Sequence, residues 1–337
     1  MSEISVGSAV GAGFQLIGRR PVSVLVWGLL RVGLVVAILA IYAPVMMQIV
    51  AEAASRAQTG EKPSPADMSQ MMSHMFLLQG VGYLLQLVGL VISSVVTCAI
   101  VRSIVHPERK AFASLRLGAP EFFIVILSFA VSFAAAFAIM LLAIPFVILG
   151  IFLGMQHLWI ALAIMIAVAV LILVLGAIYV AARFAFVVPM MVDDGQFHLF
   201  DAWALTKGKV GSIVLIGLCL LLIGMVLGLL IDGVLFGVGA AALGVAAGGF
   251  NNLQAFFTQT PPQQIIMTLA PSLILLGLLL IPIQGAVMTV FIAPWARAYR
   301  DIVPASPLAP LSAAPPPPVA PPPVAPPSVP PPLTAAP

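Results

Sequence analysis

Long apolar segments separated by short polar ones dominate the pattern along this chain. A helix that crosses a hydrocarbon core of roughly 30 Å needs about 20 mainly apolar residues. Six segments reach this length, and none alternates apolar and polar residues as the strands of a membrane β-barrel do. The predicted spanning helices are residues 24–50, 75–101, 122–153, 158–188, 212–236 and 265–293. The pattern therefore predicts an all-α membrane domain over residues 1–303.

A short amphipathic stretch that ends at a glycine precedes each odd-numbered span. These stretches are residues 4–18, 112–118 and 197–208. Their closing residues, Gly18, Gly118 and Gly208, can each adopt the left-handed backbone conformation that ends a helix. We therefore expect three units, each built from a short amphipathic helix in the cytoplasmic interface followed by a transmembrane hairpin.

The composition excludes several classes of protein. Apolar residues make up 62% of the chain and charged residues only 7%, whereas a soluble domain carries about 25% charged residues. A water-soluble globular enzyme is therefore excluded, and two cysteines are too few for a disulfide scaffold. Fourteen basic against 11 acidic residues is too small an excess to suggest nucleic-acid binding.

The basic residues predict the orientation of the chain. Eleven Lys and Arg residues fall on the side that holds both termini, and two, Arg56 and Lys62, fall on the opposite side. Short cytoplasmic loops carry the excess of positive charge in membrane proteins. We therefore expect a multi-pass protein of the bacterial inner membrane with both termini in the cytoplasm.

Two tryptophans lie next to basic residues at predicted span ends. Trp27 and Trp295 are expected in the interfacial aromatic belt. This placement puts Arg31 about one turn inside the hydrocarbon core, from which its side chain can snorkel outward along its aliphatic stem. The alternative is a buried arginine with a function.

The C-terminal segment, residues 304–337, has a different composition. Sixteen of its 34 residues are proline and none is charged, so it is predicted to be a disordered cytoplasmic tail with polyproline II character. Its P-x-x-P spacings suit an aromatic-lined groove on a protein partner. The alternative is a tail without a dedicated receptor.

The densest polar group lies in the connection between the fourth and fifth spans. It consists of Asp193, Asp194, His198 and Asp201. Carboxylates with a histidine can bind a metal or perform acid–base chemistry. However, Asp193-Asp194-Gly195 is also an ordinary turn, and an acid such as Asp201 suits the first turn of a helix. No second ligand cluster completes a coordination shell, so we expect no metal, cofactor or catalytic residue.

Polar and small residues within the spans are further candidates for a role in function or in helix packing. A polar stripe that includes Gln86 follows one face of the second span and should point into the helix bundle, as hydrogen-bonding residues or as the lining of a solute path. Gly224-x-x-x-Gly228 in the fifth span predicts close helix packing. Asp232 continues the same spacing. An acid inside a membrane is a functional candidate, but the rise per residue places Asp232 at the outer boundary, where water can solvate it.

The exit of the fourth span and the segment after it carry a resemblance. They read Arg183-Phe-Ala-Phe-Val-Val-Pro189-Met-Met-Val-Asp193-Asp194-Gly195 and Phe197-His-Leu-Phe-Asp-Ala-Trp203-Ala-Leu-Thr-Lys207-Gly208. This pattern, with the opening at residues 6–16, resembles a group of bacterial polytopic membrane proteins that is similar to the membrane domain of some glycerophosphoryl diester phosphodiesterases. The resemblance covers roughly residues 4–300. It implies a six-helix inner-membrane protein, and without room for the soluble phosphodiesterase barrel the hydrolase activity does not carry over.

These patterns lead to one functional hypothesis and two alternatives. We expect a non-enzymatic integral inner-membrane protein that acts through contacts with membrane lipids or with a protein, with envelope maintenance as one such role. The first alternative is a small-solute or lipid transporter, suggested by Gln86 and Asp232. The second is a metal-dependent enzyme that uses His198. Motifs for phosphate loops, zinc proteases and serine hydrolases do not occur in the sequence.

Overall fold

The structure is a computed structural model that describes residues 4–59, 64–107, 112–156, 158–197 and 199–303. About 90% of this described part is helical and it contains no strand, which confirms the predicted all-α class. The α-helices in these ranges are α1 (Val6–Arg19), α2 (Pro21–Thr59), α3 (Pro65–Val105), α4 (Ala119–Met155), α5 (Trp159–Phe184), α6 (Val187–Asp194), α7 (Leu199–Leu205), α8 (Val210–Ala246), α9 (Leu253–Gln259) and α10 (Pro262–Ile302).

Six helical segments of the described chain are long and apolar enough to cross a membrane. They are Pro21–Met46, Met75–Val105, Ala119–Met155, Trp159–Asp194, Val210–Ala246 and Met267–Ile302. The protein is therefore a multi-pass membrane protein, as the hydropathy pattern predicts. The largest difference lies in residues 237–264, which separate the fifth and sixth predicted spans. The first ten of these residues continue α8 because no charged residue or proline interrupts them, and the helix ends before Gly248 and Gly249, both with positive φ.

The three segments before the odd-numbered spans differ from one another. The first is α1, which packs against α10 and buries Ala9 and Leu16. The third contains α7, but the second is a single 3-10 turn, Phe112–Ser114, which is too short to form an amphipathic face.

Of the three glycines predicted to end these segments, only one adopts the left-handed conformation. Gly208 has a φ of 79°. Gly18 instead lies within α1, and Gly118 is extended immediately before α4. The prediction is wrong at these two positions because Arg20 follows α1 with a negative φ, and because the second segment has no α-helix to end.

The core of the molecule lies where α1, α2, α3 and α10 meet. At this point Gly28 of α2 faces Gly285 of α10, and a methyl group on either glycine would overlap a backbone carbonyl oxygen of the other helix. Small residues allow this kind of close helix approach in membranes. The buried cluster around the crossing includes Leu16, Val24 and Trp27.

Trp27 lies in this core and not in an interfacial belt, so that prediction is wrong. Its side chain is fully buried, and its indole N–H donates a hydrogen bond of 3.0 Å to the carbonyl oxygen of Ala113. The 3-10 turn covers the ring, and its carbonyl satisfies the indole donor. Trp295, the second predicted belt residue, is half-buried.

Candidate functional site

A groove between α2, α3 and α4 combines polar and apolar side chains. Its volume is about 680 Å³. The apolar lining includes Leu34, Ile38, Leu90, Phe129 and Phe133, and the polar lining includes Arg31, Tyr83, Gln86, Ser93 and Ser132. The lining residues come from the first three spans of the chain, and each span forms one side of the groove. Apolar walls with a few polar groups are typical of binding sites for small organic ligands.

Arg31 is the only basic residue among those that line this groove. One of its terminal guanidinium nitrogens, Nη1, donates a hydrogen bond of 2.8 Å to the Ser93 hydroxyl oxygen. Within the described ranges Arg31 forms no ion pair with a carboxylate. The side chain thus reaches across to α3, and a functional role for it stays a hypothesis.

The depth of Arg31 follows from its neighbour on α3. Ser93 precedes Arg102 by nine residues in one continuous helix, which corresponds to about 14 Å along the axis. Arg102 lies three residues from the end of α3 at the predicted cytoplasmic side. Because half of a hydrocarbon core is about 15 Å, we expect the Arg31 guanidinium, which contacts Ser93, near the middle of the hydrocarbon core.

Gln86 belongs to the predicted polar stripe of α3, and the structure divides that stripe. Gln86 and Tyr83 are exposed towards the groove, with the Gln79 amide nitrogen 3.4 Å from the Tyr83 hydroxyl. Ser94, in contrast, is buried and donates a hydrogen bond to the Leu90 carbonyl of its own helix. Gln86 and Tyr83 of the stripe therefore line the groove, whereas the hydroxyl of Ser94 is hydrogen-bonded within its own helix.

A buried ion pair connects α3 to α4 at the predicted cytoplasmic end. Arg102 donates one hydrogen bond to Glu121 at 2.5 Å and another to the Ser114 carbonyl at 2.8 Å. The exposed fractions of the two charged side chains are 10% and 3%. Our sequence analysis missed this pair; the available signal was a basic residue in the last turn of α3 and an acidic one in the first turn of α4.

The structure separates the acidic residues between the fourth and fifth spans. Asp193 accepts a hydrogen bond of 3.0 Å from the Tyr299 hydroxyl of α10 and lies 3.4 Å from the His106 imidazole. Asp194 accepts a hydrogen bond from the backbone N–H of Gln196, as expected for the turn interpretation. Asp193 therefore connects helices, whereas Asp194 shapes a turn.

The remaining members of this connection do not complete a ligand set in the described structure. Asp201 is exposed in the first turn of α7, and His198 lies outside the described residues. Among the residues that the structure describes, no group of three or more His, Cys, Asp or Glu side chains comes together to hold a metal ion.

Arg183 is held between aromatic rings near the end of α5. Its guanidinium carbon lies 5.2 Å from the centre of the Tyr179 ring and 4.9 Å from that of Trp203 on α7. Two of its nitrogens donate to the Tyr179 hydroxyl at 3.1 and 3.2 Å. Such cation–π contacts contribute about 0.5–2 kcal/mol, so Arg183 joins α5 to α7.

Of the two glycines in the predicted packing motif of the fifth span, only Gly224 packs closely against another helix. A methyl group on Gly224 would lie 2.6 Å from the Phe291 ring of α10, whereas one on Gly228 would meet no atom within 4 Å. Asp232 is exposed on the same helix, 22 residues after Val210. This separation is about 33 Å along the axis, slightly more than a hydrocarbon core of roughly 30 Å. The position of Asp232 at the outer boundary stays a prediction.

The groove brings together residues that are far apart in the sequence. Two features of the sequence pointed to its residues separately: the single charge of Arg31 in the first span and the polar stripe in the second. The resemblance to the membrane domain of glycerophosphoryl diester phosphodiesterases stays a prediction. No family model, curated protein or solved structure matches this chain.

Proposed function

We propose that the protein is a non-enzymatic inner-membrane protein that acts through contact with membrane lipid. The observation that carries this proposal is the groove between α2, α3 and α4, which has apolar walls, a volume of about 680 Å³ and polar residues along its length. A lipid is the partner that such a lining suits best, because its chain and its headgroup each find a matching surface.

The surroundings of the groove support a lipid partner. The most apolar stretches of α4 and α5 contain no residue that is buried inside the protein. The α4–α5 hairpin therefore leaves much of its apolar surface uncovered by other helices, and in a bilayer this surface would contact acyl chains. Because α4 forms one side of the groove, a lipid that contacts the exposed surface of α4 can enter the groove directly.

Lipid transport is the second candidate, favoured by the depth of Arg31. A charged residue near the middle of a span often marks a substrate path. The groove extends from Arg31 and Ser93 to Gln86 and Tyr83, and the ten residues from Ser93 to Tyr83 correspond to about 15 Å of helix. A transporter would move its ligand along this length, whereas a protein that only binds lipid would hold it in place.

The cellular location forms part of the proposal. We place the protein in the bacterial inner membrane with both termini in the cytoplasm, supported by the distribution of 11 against two basic residues. The proposal includes membership of the group that resembles the membrane domain of glycerophosphoryl diester phosphodiesterases. A role in envelope maintenance is consistent with this location.

Purification of the protein tests lipid contact directly. We would isolate the full chain, and a variant without residues 304–337, in mild detergent and identify the bound lipids and proteins by mass spectrometry. We expect both forms to retain the same lipid, enriched over its share in the bulk membrane, because the described residues that line the groove all belong to the first three spans. Lipid in bulk proportions, together with a near-stoichiometric protein that is lost with the tail, would contradict the proposal and indicate an assembly protein.

A further inference from the structure

We propose that the groove between α2, α3 and α4 binds a single-chain amphiphile with a carboxylate headgroup, and that Arg31 binds the carboxylate. A fatty acid is the simplest molecule of this class. The inference rests on the proposed contact with lipid and names the chemical group that the groove recognises.

The charge of Arg31 is the first argument for an acidic ligand. In the described structure its polar contact is the neutral hydroxyl of Ser93. An arginine has five N–H donors, so most of its hydrogen-bonding capacity remains for a ligand. A positive charge within a span is costly unless an anion or polar groups compensate it. A carboxylate fits the planar guanidinium through two parallel hydrogen bonds and neutralises it.

The size of the groove suits an acyl chain. Its volume of about 680 Å³ is large enough for one long acyl chain. The apolar side chains of Leu34, Ile38 and Phe133 would line this chain.

The depth of Arg31 is the argument against a phospholipid headgroup. The site lies about 14 Å from the level of Arg102, counted along α3. A phospholipid of the surrounding bilayer keeps its phosphate in the headgroup region, outside a hydrocarbon core of roughly 30 Å. A free fatty acid has a smaller headgroup, and ion pairing with Arg31 would stabilise its carboxylate at that depth.

A competition experiment tests the assignment. A fluorescent long-chain fatty acid is bound to the purified full chain in detergent and displaced by a fatty acid, by its methyl ester or by phosphatidylglycerol. We expect the acid to compete at least about tenfold better than the ester, because only the acid forms charged hydrogen bonds with Arg31. The Arg31→Gln variant should bind acid and ester equally, and Arg31→Lys should recover part of the preference.

Arg116→Gln is the matched control, because it removes the same charge from an exposed residue outside the groove. It should keep the preference for the acid. Equal competition by acid and ester in the unaltered protein would overturn the inference, even if Arg31→Gln did not fold. Stronger competition by phosphatidylglycerol than by the acid would also overturn it. In both cases an enriched lipid in the purified protein would still support the proposed function, whereas bulk lipid alone would contradict both proposals.

Discussion

Replacing Glu121 with alanine is expected to lower the free energy of unfolding by about 3–5 kcal/mol, because it leaves the buried Arg102 guanidinium without its carboxylate. Only 10% of the Arg102 side chain and 3% of the Glu121 side chain are exposed, so water cannot replace the lost partner. The measurement is equilibrium unfolding of the purified protein in mixed detergent micelles, followed by tryptophan fluorescence.

Two further variants make this prediction specific. Replacing both Arg102 and Glu121 with leucine removes both buried charges, so we expect the double variant to be more stable than Glu121→Ala. Arg297→Gln breaks the pair between Arg297, whose side chain is 44% exposed, and Asp301. Asp301 still faces the Ser8 hydroxyl, so the loss should be no more than about 1 kcal/mol. Equal losses of unfolding free energy for Glu121→Ala and Arg297→Gln would show that water solvates the pair between Arg102 and Glu121.

The second large effect is expected at the crossing of α2 and α10. The Gly28→Ala variant places a methyl group against the backbone carbonyl of Ile281 and within 2.9 Å of the Gly285 nitrogen. Backbone atoms cannot move aside as a flexible side chain can, so the two helices must separate. We expect a loss of about 3 kcal/mol, at the upper end of the range for overpacked cores, measured by the same unfolding experiment.

Gly33→Ala is the matched control for this prediction. Gly33 lies in the same helix, and a methyl group there would meet no atom within 4 Å. Since alanine favours a helix over glycine by up to about 1 kcal/mol, this variant should be neutral or slightly stabilising. If Gly28→Ala behaved like Gly33→Ala, the two helices would not approach each other as closely as the structure shows.

The membrane fold was predictable from the sequence because the length of an apolar run determines whether a helix can cross a bilayer. Pairing between helices was not predictable in the same way. Gly224-x-x-x-Gly228 matches a known packing motif, yet a side chain at Gly228 would meet open space. Among the described glycines, the tightest contacts between helices are at Gly28 and Gly285, which belong to the first and last spans. Which helices contact each other depends on the whole bundle, and the spacing of small residues within one helix does not predict it.

The candidate sites show the same limit. Asp194 behaves as its local sequence suggests, because a turn depends on neighbouring residues. Asp193 contacts Tyr299 of α10 and His106, which directly follows α3. Trp27 has the local sequence of an interfacial residue, but the turn that contains Ala113 folds over it. Arg31 contacts a hydroxyl from another span, so this contact was not predictable from the residues that surround Arg31 in the sequence.

The most direct test of lipid contact in the groove is photo-crosslinking in the native membrane. A photoreactive amino acid replaces Phe133, which lines the groove, and in a second variant Phe137, which is exposed one turn further along α4 outside it. We predict that the Phe133 position yields one discrete lipid adduct by mass spectrometry, and that the Phe137 position yields the mixture of bulk lipids. A protein adduct at Phe133, or the same lipid mixture at both positions, would contradict the proposed function.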